Sequence, residues 1–578
     1  MDITRRSLLG ASAAAGAGLL LPLRLPTAAN AAIPLGVTPF TEALPTLSDM
    51  GVIDATKGGA ATIRMVNATH RFHRSMATTP TFAYRSQGGA QDYLGPVIVA
   101  RRDVPFALTV VNQLGTHPLA SAIDYDLDGV KKADATAPRA SVHLHGGNTD
   151  PANDGDPLDF FGHGKSKTYR YGNTQEAAGL WFHDHALGIT RLNVFAGLAG
   201  GYLIRDANDP GDGTLLPAPP YEVPLLVQDR MFNADGTFDY PLGEARPWAP
   251  EFFGDVATVN GKAWPNLAVD RGKYRFRVYN GSQARFYNFR FESGSSVLDF
   301  FQIGTDGGLL DRPARLKALL LAPGERADLV VDFEHLPPGA RVILTNDAPE
   351  PFPNGDPCDV PQIMQFTVTR ARGWTRPLTT QTNLRANTAP ITRLDHLKVD
   401  KARSISLVEV HDPTTGDPTM VLMNNRSFMD PRGRTTVKSN TLEQWEFINT
   451  TVDAHPMHLH FAQFQVLNRQ DIDRDRYFAA AGYDDAVAGS GSFPPPAVGP
   501  YLTAGSTPRV PAANERGWKD TIVCPPGQVT RIRVPFGPNA VPGSPMAIGR
   551  AHTGKYVSHC HILEHEENDM MMRYVIEE

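Results

Sequence analysis

The segment His559-Cys560-His561-Ile562-Leu563-Glu564-His565-Glu566-Glu567-Asn568-Asp569-Met570 gathers imidazole, thiol and thioether donors within twelve residues. In an extended chain, successive side chains leave opposite faces. If residues 559–561 are extended, His559 and His561 point one way and Cys560 the other. Cys560 then joins His565 and Met570, brought round by the following loop, at one metal ion. Thiolate, imidazole and a weak axial thioether, completed by one imidazole from elsewhere, are the donors of a blue-copper electron-transfer centre. His559 and His561 face a second site whose other ligands lie elsewhere in the chain. A tripeptide that bridges two metal sites suggests electron transfer between them.

Three more clusters supply the missing donors: His143-Leu144-His145, His183-Asp184-His185 and His455-Pro456-Met457-His458-Leu459-His460. A single H-x-H in a β-rich chain is ordinarily a hydrogen-bonded or surface pair. Four clusters holding ten of the eighteen histidines, one with a Cys–His–Met set, are a different matter. Structural zinc favours local C-x₂₋₄-C or H-x₃₋₅-H spacing, and no second cysteine lies near Cys560, so the donors favour copper.

Elements that alternate apolar and polar residues must position these donors. Asp103–Asn112, Lys273–Asn280 and Leu442–Asn449 each alternate, end in Asn and read as half-buried strands. Their spacing of roughly 170 residues suggests three copies of one β-sandwich unit. The first and third continue into histidine clusters; the second does not. The 578-residue length implies several domains, and 52 Gly with 48 Pro suit many short strands joined by turns. Boundaries are expected near residues 206–220 and 372–392. The net charge of −6 and the lack of a polybasic run argue against a nucleic-acid partner. At the N-terminus, Arg5-Arg6 precedes an Ala/Gly/Leu stretch and Ala29-Asn30-Ala31 offers a cleavage site, the pattern of a twin-arginine export signal. No later segment reaches the length of a spanning helix. The expectation is an exported protein, periplasmic or secreted, with no stable membrane association after signal cleavage.

In cluster type and order the chain resembles the multicopper oxidases. His143-Leu144-His145-Gly146-Gly147, Thr190-Arg191-Leu192-Asn193-Val194 and His561-Ile562-Leu563-Glu564-His565 look like the bacterial spore-coat laccase and bilirubin oxidase branch. The resemblance implies an all-β fold of three cupredoxin-like Greek-key β-sandwich domains. After a signal at residues 1–31, these would occupy residues 32–210, 211–380 and 381–578, the middle one a spacer without ligands. It implies four copper ions. Type 1 takes His455, Cys560, His565 and axial Met570. Type 2 takes His143 and His458. The type 3 pair takes His145, His183, His185, His460, His559 and His561. Glu566 and Asp154 match acidic positions that supply protons, although Asn153-Asp154-Gly155 is also good turn chemistry. Trp518 resembles part of a segment near the type 1 pocket, with a packing role as the alternative. Cys358 matches a cysteine that is disulfide-bonded in the spore-coat laccase, but Phe253 stands at the partner position, so that bond is not available. Bonding between Cys358 and Cys524 stays open.

The implied activity is one-electron oxidation of phenols, aromatic amines or tetrapyrroles, coupled to four-electron reduction of O₂ to water. An o-aminophenol oxidase of the phenoxazinone-synthase type is the nearest alternative, followed by a cuprous or ferrous ion oxidase. A copper-free scaffold would have lost ligands, and here none is missing. The Gly/Pro/Ala-rich stretch at 484–513 is of a length that is usually functional or disordered.

Overall fold

The alternation in Phe106–Gln113 translates directly into structure: every second side chain is buried. The strand lies parallel to Gly59–His70 and antiparallel to Ser166–Tyr171. The computed structural model describes residues 36–242, 247–416, 418–541 and 550–578. The export signal expected at the N-terminus lies outside these residues.

Among the described residues the strands form six sheets that follow chain order. Strands between Val52 and Arg205 build a four-stranded and a five-stranded sheet. Those between Glu222 and Arg372 build a seven-stranded and a six-stranded sheet, and those between Lys401 and Glu577 build two of five strands. Helices are few and short, and none of those described is long and apolar enough to cross a membrane. The fold is all-β, as expected.

Lys273–Asn280 departs from the expected half-buried pattern, because it is buried along both faces. It sits between Glu222–Arg230 and Arg326–Asp332 in the seven-stranded sheet. Its polar positions are arginines that meet buried carboxylates. Arg275 reaches Asp209 at 2.7 Å and Asp328 at 2.6 Å, while Arg277 reaches Glu222 at 2.8 Å. Arg205 joins from the end of the preceding strand at 2.6 Å from Glu222. Alternation thus marked the strand correctly, but its second face meets ion pairs instead of water.

Two strand sets carry the histidines. Val142–His145 pairs antiparallel with Gly179–Asp184, placing His143 opposite His183. His455–Leu459 runs between Thr521–Cys524 and Gly554–Cys560, with His458 opposite His559 and Met457 opposite Cys560. After His185 the chain turns into the fully buried helix Thr190–Ala196, which stops at Gly197 with φ +129°. A Cβ there would stand 2.2 Å from the Phe82 carbonyl oxygen, so only glycine fits. This helix contacts the short helix Leu563–Glu567, which carries His565 and Glu566.

The 484–513 stretch is ordered by hydrogen bonds to its neighbours. Asn425 Nδ2 donates to Ser490 Oγ at 2.7 Å, Tyr477 Oη to the Pro496 carbonyl at 3.0 Å, and Arg509 pairs with Asp471 at 2.7 Å.

Candidate metal centre

His559 and Cys560 end a strand, so their side chains leave opposite faces. On one face, Cys560 Sγ lies 3.6 Å from His455 Nδ1 and 3.7 Å from His565 Nδ1, and all three residues are buried. His455 turns its other nitrogen, Nε2, to Thr451 Oγ1 at 2.7 Å. That bond places the Nδ1 lone pair toward the sulfur. Met570 is fully buried in the same apolar cluster as Cys560. Its main chain joins both neighbours: Cys560 N donates to Met570 O, and Met570 N to His565 O, each at 2.9 Å. Met571 belongs to a different cluster with Leu187, Phe428 and Val557, and Met572 lies opposite Ser558. Met572 shares the apolar cluster of Cys560, but of the three consecutive methionines Met570 is the one whose main chain bonds both Cys560 and His565.

The other face collects eight imidazoles. Their donor atoms form the groups His143/His458/His460, His145/His183/His561 and His185/His460/His559, each with all atoms within 4.8 Å of one another. Nε2 of His185 is 3.1 Å from that of His460 and 3.3 Å from that of His559; those of His143 and His458 are 3.4 Å apart. Burial, reinforced by the neighbouring imidazoles, holds His143, His460 and His561 well below the ordinary histidine range. Those three rings are held neutral, with lone pairs available to a ligand. His145 Nε2, His183 Nε2 and both nitrogens of His561 have no hydrogen-bond partner. Buried acceptors that face each other without donors are costly unless a cation sits among them. The donor set thus fits bound metal.

Several outward nitrogens are anchored, which fixes those rings. His143 Nδ1–H donates to the Asp154 carbonyl at 2.5 Å, and His458 Nδ1–H to the Asp520 carbonyl at 2.9 Å. His460 Nδ1 meets Asp154 Oδ2 at 2.7 Å. Glu566 spans two ligands, with Oε1 at 3.3 Å from His185 Nδ1 and Oε2 at 3.0 Å from His559 Nδ1. Burial pushes the Asp154 carboxyl well above its usual range, with Asp156 and Asp150 adding to the rise. For Glu566 burial acts the same way, but His559 and His185 outweigh it and hold it at about 2. The turn reading of Asp154 holds as well: Gly155 follows at φ +83°, where a Cβ would stand 2.3 Å from the Val142 carbonyl. In His183-Asp184-His185 the central Asp184 accepts from Asn193 Nδ2 at 2.9 Å and Ser141 N at 3.0 Å, so it builds the turn between the two ligands.

Every singled-out histidine, with Cys560, Met570, Asp154 and Glu566, comes to one of these two faces. Trp518 lies in a different apolar cluster from Cys560. It packs with Ile391, Leu394 and Leu442, and its segment reaches the histidine nest through Asp520. Cys358 and Cys524 are both free; Cys358 Sγ accepts from Asn346 Nδ2 at 3.1 Å. The middle repeat is more than a spacer. Tyr240 Oη donates to Glu564 at 2.6 Å, and Leu563 N donates to the Gln283 carbonyl at 3.2 Å, steadying the helix of His565. Sequence reasoning missed Thr451, Asp520, Arg326 and the Arg191–Glu567 pair at 2.7 Å. The available signals were that Asp520 shares the Gly517-Trp518-Lys519-Asp520 segment with Trp518 and that Arg191 and Glu567 lie in segments already singled out.

A buried thiol between two imidazoles, backed across one strand by eight more on an all-β frame, defines a redox metalloprotein. Two family models described as Multicopper oxidase match residues 130–209 and 401–578. A laccase of Bacillus subtilis (strain 168) is 36% identical over 556 residues, covering 92% of this chain and 97% of that protein. Multicopper oxidase LPR1 of Arabidopsis thaliana is 34% identical, covering 89% and 88%. Among solved structures, the McoA multicopper oxidase of Aquifex aeolicus matches with a TM-score of 0.70 at 23% identity, covering 94% of this chain and all of that one, a likeness of fold. The chain belongs to the multicopper oxidase family. It is a laccase-like copper oxidoreductase with O₂ as acceptor.

Proposed function

We propose that His455, Cys560, His565 and axial Met570 hold a type 1 copper and that His143 and His458 hold a type 2 copper. The triads His145/His183/His561 and His185/His460/His559 hold a type 3 pair, making four ions. The carrying observation is that the eight imidazoles converge in three overlapping groups, with ring nitrogens of His145, His183 and His561 that lack protein partners. When bound, copper supplies one-electron acceptance at the thiolate and four-electron reduction of O₂ to two waters among the histidines. Cys560 is covalently continuous with His559 and His561, which gives the shortest chain route between the two faces. Full burial of the ligands excludes bulk water. Asp154, bonded to His460 Nδ1, and Glu566, beside the Nδ1 atoms of His185 and His559, stand where protons must arrive, and we assign them proton delivery.

The substrates proposed are phenols, aromatic amines or tetrapyrroles. Glu251 Oε1 stands 3.9 Å from His565 Nε2, the nitrogen turned away from the sulfur. A carboxylate there is placed to accept the proton that a phenol or aminophenol releases with its electron. The same carboxylate suits a ferrous ion, which keeps the metal-oxidase reading as the alternative. A cuprous site built on the consecutive methionines has less support, since Met570, Met571 and Met572 are all buried. The division into sandwich domains at residues 32–210, 211–380 and 381–578 is proposed with the strand gaps at 206–221 and 373–400 in support. Export by the twin-arginine route is proposed from Arg5-Arg6, the Ala/Gly/Leu stretch that follows and the Ala29-Asn30-Ala31 site. The test is a panel of bilirubin, substituted phenols, o-aminophenol and ferrous and cuprous ions, offered to the blue copper-loaded protein and its Glu251→Gln variant. Turnover of the metal ions alone would overturn the aromatic reading, and a copper-loaded protein that is not blue would overturn the ligand assignment.

A further inference from the structure

The middle third of the chain gives no ligand to either face, yet one of its side chains touches ligand-bearing segments from both other thirds. Arg326 opens the strand Arg326–Asp332 and is 3% exposed. Its Nε–H donates to the Gly179 carbonyl at 3.3 Å. Nη1 donates to Asp520 Oδ1 at 2.6 Å and the Gly324 carbonyl at 3.1 Å. Nη2 donates to Asp520 Oδ2 at 2.5 Å and the Asp306 carbonyl at 3.2 Å. With His145 Nδ1 at 3.1 Å from Nη1, these acceptors engage all three nitrogens of the guanidinium, a planar five-donor fork that no other side chain reproduces.

The contacts with Gly179, Asp520 and Gly324 each lead to a histidine. Gly179 begins the strand that carries His183. The Asp520 carbonyl accepts from His458 Nδ1 at 2.9 Å. Gly324, at φ +80°, lies against the His561 ring, where a Cβ would be 2.6 Å from Cγ and Cδ2. Nη1 itself is 3.1 Å from His145 Nδ1. We propose that Arg326 is a positioning residue for the histidine nest: its two-point grip on Asp520 fixes the carbonyl that orients His458, relative to the strands that carry His145 and His183. Rings supplied by distant parts of the chain then meet at one spacing. The inference rests on the reading that these histidines bind copper.

The test uses Arg326→Lys and Asp520→Asn, singly and together, in the full-length protein. Lysine keeps the charge but not the planar fork. Three readouts separate positioning from folding: copper retained against a competing chelator, the electron paramagnetic resonance signal of the type 2 copper, and the blue band of the Cys560 site. Loss of an outer-shell partner typically weakens metal binding about 10–100-fold. That loss is expected at the histidine nest, with an altered type 2 signal and the blue band retained. The double variant should be no worse than the weaker single, because both act through one contact. Arg275→Lys, an equally buried arginine paired with Asp209 and Asp328, is the control. It should lower the melting temperature of the apoprotein and leave both signals unchanged. Wild-type copper retention and type 2 signal in Arg326→Lys would overturn the proposal. So would loss of both signals in step with melting, or failure of both single variants to fold, since the role would then belong to the fold. Failure of the underlying reading shows separately, as a wild-type protein that binds no copper at the nest.

Discussion

At Cys560, burial and ligation pull in opposite directions. Removal from water pushes the thiol well above its ordinary range, so the thiolate exists there only when a cation compensates it. Two imidazole nitrogens at 3.6 and 3.7 Å define where that cation belongs. Cys560→Ser is therefore expected to abolish the blue charge-transfer band and turnover, and to lower copper content by about one ion in four. The histidine nest should keep its copper, because the side chain of residue 560 faces away from it. A blue Cys560→Ser protein would remove the residue from its assigned role. Met570 tests the axial position. A thioether stabilises oxidised copper more than reduced copper, so Met570→Leu should raise the type 1 potential while the similar volume spares the fold. Redox titration beside Met571→Leu and Met572→Leu decides; a rise in either of those, with none at Met570→Leu, reassigns the ligand.

At the scale of elements, the strand Lys273–Asn280 shows how polar alternation can serve a buried sheet. Burial alone would raise the Glu222 carboxyl, but Arg205, Arg277 and Arg275 bring it down to about 2 from an ordinary 4.5. A carboxylate with a depressed folded-state value stabilises the fold above its unfolded value, and that contribution is lost as pH falls through the folded one. The sensitive window therefore runs from about pH 4.5 down to about pH 2. Urea midpoints of the apoprotein should fall across that window. The gap between wild type and Glu222→Gln should narrow over the same range; parallel curves would show that Glu222 does not titrate with folding. The strand itself was legible from alternation, whereas its buried second face was not. Nothing local distinguishes an arginine bound for water from one bound for Asp209, which lies 66 residues away.

For the whole molecule, the metal set is also a staple. The nest draws rings from Val142–His145, Gly179–Asp184 and His455–Leu459, and from the 559–561 segment, so bound copper joins distant parts of one chain. Ions that bind only the folded state stabilise it by mass action, about 4 kcal/mol at a thousandfold excess over Kd. Chelation is expected to lower the melting temperature, and stoichiometric copper to restore it; equal melting of apo and copper-loaded protein would show that the sites do not couple the strands.

The sequence by itself determined the donor chemistry. Strand periodicity forces His559 and Cys560 to opposite faces, and an H-x-H pair on a strand to one face, whatever surrounds them. Those are properties of adjacent residues. Tertiary structure alone decided which rings meet, that Asp154 bonds His460 Nδ1 and Glu566 lies beside those of His185 and His559, and that Arg326 and Gly324 from the ligand-free middle third abut the nest. Such contacts join residues far apart in the chain through carbonyls and buried carboxylates. Their partners are set by sheet packing and register, and a main-chain oxygen such as that of Asp520 carries no mark in the sequence of the imidazole it will hold.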